Sequence, residues 1–82
     1  MVEFRPYATY SEQADAAYVH LAEGQVATTE SLDDLRMIDY SGDGRVIGIE
    51  LLDVSDGVDL RDIPQRPLVE ALLHDYNFPV LA

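Results

Sequence analysis

Apolar and polar residues alternate with a period of two through most of residues 2–54 and take a helical period only near the end of the chain. That pattern predicts a sheet followed by one helix. In residues 2–10, Val2, Phe4, Ala8 and Tyr10 share one face, and Glu3, Arg5, Tyr7 and Thr9 the other. Pro6 lacks the N–H that an interior strand donates, so this strand belongs at a sheet edge or bends there. A polar reversal over residues 11–15 leads into 16–21, where Ala17, Val19 and Leu21 face one way and Tyr18 and His20 the other. This second strand pairs with the first. Glu23-Gly24 turns the chain into a third strand over 26–32, rich in threonine. Ser31 and Asp34 also resemble a capping box, which would make 32–38 a helical turn. The apolar pattern favours a loop at Asp33-Asp34 and a fourth strand over 35–40.

The densest patterning lies at 35–54. Ser41-Gly42-Asp43-Gly44 separates two apolar runs, and an Asp-Gly pair supplies the backbone angles of a tight hairpin. In the fifth strand, 45–53, Ile47, Ile49 and Leu51 occupy one face and Val46, Gly48, Glu50 and Leu52 the other. Both faces are partly apolar, so something must cover the second. The expected cover is a helix over 67–76, with Leu68, Ala71, Leu72 and Tyr76 on one stripe, Pro67 in the first turn, and Asn77 and Pro79 as the stop. Gly57, Val58, Leu60 and Pro64 mark 55–66 as a packed connector. The expectation is a single α+β domain over 1–82: a small antiparallel sheet of about five strands in β-meander order (2–54), a connector (55–66) and one C-terminal helix.

Length and composition narrow the chemistry. A chain of 82 residues has a small core. It has no cysteine, which removes disulfides, thiolate nucleophiles and cysteine-based metal sites. No apolar run approaches a membrane span, and the N-terminus lacks the layout of a signal peptide, so the expected location is cytoplasmic and no membrane contact is expected. Sixteen acids against five arginines give a net charge of -11, which opposes binding to phosphate backbones; no nucleic acid is expected. The acids lie singly among apolar residues. They serve as a solvated face or as the complement of a basic partner.

Tyr10-Ser-Glu-Gln-Ala-Asp-Ala-Ala-Tyr-Val19, and Asp39-Tyr40 with Gly44-Arg-Val-Ile-Gly-Ile-Glu-Leu-Leu52, resemble in order and spacing the two motifs of the YuzE-like bacterial domain family of unknown function, DUF2283. The chain departs at Ser11, where the family usually has Asp, and at Ala17, where a larger aliphatic is usual. The resemblance implies a small antiparallel sheet with a helix, no established activity, and an antitoxin-like setting beside small toxin-like partners for some relatives.

Several constellations invite a functional reading. Asp39, Ser41, Asp43 and Glu50 match the spacing of a calcium loop, but the flanking helices are missing and a hairpin would carry Glu50 away from the turn, so no metal is expected. Glu50 alternates onto a partly apolar face, where it is either a base of shifted pKa or a carboxylate paired with Arg36 or Arg45. His20 and His74 lie on different elements without a ligand partner nearby. No phosphate loop or nucleophile motif is present, and no cofactor is expected. The candidate interaction or pocket residues are Asp15, Tyr18, His20, Asp39, Gly48 and Glu50. The function expected is protein interaction through the second sheet face, by self-association as a two-fold dimer or with a small basic protein. The alternative is a small enzyme or ligand-binding domain whose pocket uses Glu50, Asp39 and His20.

Overall fold

A computed structural model of the chain describes residues 3–82. Strands β1 (Tyr7–Ser11) and β2 (Ala16–His20) form one antiparallel hairpin. Strands β3 (Thr28–Asp33), β4 (Arg36–Tyr40) and β5 (Val46–Leu52) follow as two more reversals, also antiparallel. The five strands and the C-terminal helix make the α+β fold that the alternation predicts. Their spatial order, β1-β2-β5-β4-β3, is not the expected meander. β5 is inserted between β2 and β4 and pairs with both. The reason is burial: Ile47, Ile49 and Leu51 are all inside, and a meander would leave this most apolar strand at an edge.

β1 starts directly after Pro6, whose missing N–H thus falls outside the ladder, and lies at the sheet edge. The expected strand start falls short by several residues, and Val2 lies outside the described residues. Ser31 and Asp34 open no helix. Instead the Asp33 carboxylate accepts the Leu35 N–H at 2.9 Å, and the chain reverses into β4. In the next reversal Gly44, at φ 85, donates its N–H to the Ser41 carbonyl at 3.0 Å, which closes the predicted Asp-Gly turn.

Helix α1 (Arg66–Leu73) continues as a 3-10 turn over His74–Tyr76 and stops at Asn77, whose φ of 58 is left-handed. Pro67 lies in the first turn. The inward stripe is rotated from the expected one: Val69 and Leu73 are buried, Leu68 and Leu72 flank them, and Ala71 is exposed. The ion pair of Arg66 with Glu70, at 2.6 Å, lies on the outward face, and the i,i+4 pair Val69 and Leu73 turns inward.

The core joins Ala17, Val19, Leu21, Ile49 and Leu51 of the sheet side to Val54, Val58, Leu60 and Ile63 of the connector, with Val69 and Leu73 of α1. The connector thus buries more aliphatic positions than the helix. On this side Arg36 is 9% exposed. Its guanidinium donates to the carbonyls of Asp59 (3.1 Å) and Arg61 (2.6 Å) and pairs with Asp33 at 2.9 Å. A buried cation is tolerable only when satisfied in this way. Among the described residues, connector and helix both pack on this one side, and the opposite sheet face has no cover. Among the described residues no helix is long and apolar enough to cross a membrane.

Candidate functional site

Side chains that alternate away from the core form cross-strand rows on the uncovered face. The register places Tyr7, His20, Gly48, Asp39 and Thr29 in one row from β1 to β3. The next row holds Thr9, Tyr18, Glu50, Met37 and Ser31. Gly48 leaves a gap in the first row, and Tyr18 leans diagonally into it. A Cβ at Gly48 would overlap the Tyr18 ring, lying 2.7 Å from its Cε1, so no other residue fits beneath it.

The Tyr18 hydroxyl thereby crosses β5 and donates to Asp39 Oδ2 at 2.5 Å, while Thr29 Oγ1 donates to Asp39 Oδ1 at 2.5 Å. On the other side His20 stacks on Tyr7, with ring centroids 4.2 Å apart and planes 11° apart, and meets Tyr18 edge-on at 4.6 Å. Burial, then the hydrogen bond to Asp39 and the charges of Asp39 and Glu50, push the Tyr18 phenol well above its ordinary value. It stays protonated, a hydrogen-bond donor and not a nucleophile. Burial pushes His20 below its ordinary value, favouring the neutral imidazole.

Glu50 is half-buried beside Tyr18 and Met37. Neither arginine expected as its partner reaches it: Arg36 points to the core side, and Arg45 pairs with Asp43 at 3.0 Å. Arg61 pairs with Asp59 and Arg66 with Glu70, so none of the ion pairs among the described residues includes Glu50. A shallow depression of about 340 Å³ opens beside it, lined by Thr9, Tyr10, Ser11, Ala16, Ala17, Tyr18 and Glu50.

Tyr18, His20, Asp39, Gly48 and Glu50 therefore share one surface, and Asp15 does not. Asp15 sits in the β1–β2 turn at φ 50, accepts the Tyr10 hydroxyl at 3.1 Å, and accepts the backbone N–H and hydroxyl of Ser55 at 3.1 and 2.6 Å. The Ser55 hydroxyl, more than any other neighbour, holds its carboxyl below the usual range. It joins the hairpin to the 3-10 turn at Val54–Asp56. The calcium-loop residues are likewise dispersed. Asp39 is engaged by Tyr18 and Thr29, Asp43 by the Ser41 hydroxyl and Arg45, and Glu50 lies along β5. Among the described residues no group of three His, Cys, Asp or Glu could hold a metal ion.

Met37, read from the sequence as a residue of the second face, lies there beside Glu50; Tyr7 and Thr29 belong to the same surface and escape a reading of the sequence, because their neighbours follow from the insertion of β5 and not from chain order. The two motifs that carry the family resemblance meet here: Tyr18 comes from the first, and Asp39, Gly48 and Glu50 from the second. A family model described as "Protein of unknown function (DUF2283)" matches residues 8–55, which hold nearly all of the sheet and end before α1. No curated protein and no solved structure matches the chain. With more than half of its length matched, this chain belongs to the DUF2283 family, whose function is unknown.

Proposed function

We propose that this protein is an interaction module whose uncovered sheet face docks a basic protein partner. The observation that carries the reading is Glu50: a half-buried carboxylate, without a cation among the described residues, on a sheet face that neither the connector nor the helix covers. Such a group bears a desolvation cost that a partner's guanidinium or ammonium would offset. Tyr18, Met37 and Leu52 lie next to it, and Tyr7 lies farther along the same face, with contact area of the kind that anchors interfaces.

The net charge of -11 favours a basic partner over a second copy, since two such faces pressed together would set Glu50 and Asp39 against like charges. The pocket reading draws less support. Glu50, Asp39 and His20 do share the face, but both oxygens of Asp39 are engaged, His20 is held against two aromatic rings, and the depression beside Glu50 is open.

Capture from native cytosol on the immobilised protein tests the proposal. A basic protein should be retained at low salt, released as salt rises, lost in Glu50→Lys and kept in Glu23→Lys, an exposed acid outside the sheet. Retention indifferent to Glu50→Lys, or a stable homodimer by light scattering, would overturn it.

A further inference from the structure

The two edges of the sheet are unequal. β1 follows Pro6, and the Tyr76 hydroxyl donates to the Ala8 carbonyl at 3.1 Å, so part of the β1 backbone edge is already occupied. Tyr76 and Phe78 also pack around Tyr10 on that strand, with ring centroids 6.0 and 5.0 Å away. β3 at the opposite end pairs with β4 alone, and Thr28, Thr29, Glu30 and Ser31 are all exposed. An edge of this kind presents unpaired N–H and C=O groups to any extended chain that arrives.

What guards β3 is charge and a bulge. Glu30 and Asp33 lie on the strand, Asp34 follows it, and the pairing with β4 is irregular between Ser31 and Asp33. The bulge leaves Thr28–Ser31 regular, and the acids repel only strands of their own sign. A second copy aligned on this edge would bring Glu30 and Asp33 close to their equivalents, whereas a basic strand would find them complementary.

We infer that the β3 edge accepts an extended basic segment of the partner as a sixth strand, by main-chain hydrogen bonding along Thr28–Ser31. This rests on the basic-partner reading above and adds how that partner is held. Side chains of the added strand on the open side would continue the row that ends at Asp39 and Thr29. Strands lie about 4.8 Å apart, so Asp39 would be about 10 Å from the sixth strand. An arginine or lysine passing over the small Thr29 side chain spans that distance toward the Asp39 carboxylate, much as Tyr18 spans Gly48 from the other direction.

The test uses three synthetic heptapeptides with the full chain: one alternating Thr and Arg, the same with Glu for Arg, and the Arg peptide N-methylated at alternate backbone positions. Amide hydrogen exchange and affinity are read together. The Arg peptide should slow exchange within Thr28–Ser31, the Glu peptide should not bind, and N-methylation should weaken binding about tenfold, the worth of one or two backbone hydrogen bonds. Glu30→Arg should abolish the protection. Equal binding of the N-methylated peptide with unchanged β3 exchange would overturn strand addition and leave charge-driven docking standing. An Arg peptide that fails to bind even at low salt would remove both readings. Protection of β3 that grows with protein concentration, without peptide, would assign the edge to a second copy and overturn the inference.

Discussion

The Tyr18 hydroxyl meets Asp39 at 2.5 Å from two strands away, because Gly48 on the strand between them has no side chain to stop the ring. The face proposed for docking is shaped by this bridge, which fixes the positions of Asp39, His20 and the depression beside Glu50. Gly48→Ala should force the ring out and destabilise the fold by about 1 to 3 kcal/mol, the usual range for overpacking. Tyr18→Phe should lose about 1 kcal/mol with the hydrogen bond. In a Tyr18→Ala background the Gly48→Ala cost should fall sharply, and urea denaturation of the four proteins measures that coupling.

Arg36 is the corresponding prediction for the core side. Its guanidinium ties β4 to the carbonyls of Asp59 and Arg61, so Arg36→Ala should cost about 3 kcal/mol, as removal of one member of a buried pair does. Arg61→Ala removes an ion pair from a side chain 68% exposed and should cost less than about 1 kcal/mol. Equal losses would mean that the Arg36 contacts do not hold the connector to the sheet.

Much of this architecture is legible in the sequence. The alternation marks the strands, the Asp-Gly pair the central hairpin, and Pro67 and Asn77 the helix ends. Strand order is not legible, since nothing local in Val46–Leu52 says that β5 will part β2 from β4. Glu50 illustrates the consequence. Alternation places it on the less apolar face, but its supposed partners, Arg36 and Arg45, turn to Asp33 and Asp43, which lie close to them in sequence. The bridge over Gly48 likewise depends on β5 standing between Tyr18 and Asp39.

Stability should fall with pH in two stages. His20 has a lowered pKa, so the unfolded state binds more protons than the folded one as pH falls through about 6.5, and stability is lost from there downward. Asp15, Asp33, Asp43 and Asp59 are all held below their ordinary value. Their contributions are present above about pH 4 and disappear as pH falls below it. Thermal melts from pH 8 to 3 should show both stages, and His20→Gln should flatten only the upper one.

Charge repulsion predicts the response to salt. With a net charge of -11, raising NaCl toward 1 M, where the Debye length is about 3 Å, should raise the melting temperature. A clear fall would mean that the arginine pairs outweigh the repulsion among the acids.

The central claim, that the open face is occupied by a basic partner, is tested most directly by photo-crosslinking in the native cell with a benzophenone amino acid at Met37. That position is half-buried between Glu50 and Ser31 in the middle of the face. The account predicts an adduct with a different, basic protein, absent when the probe stands at Glu23. An adduct of twice the 9.1 kDa chain, or no adduct at Met37, would contradict it.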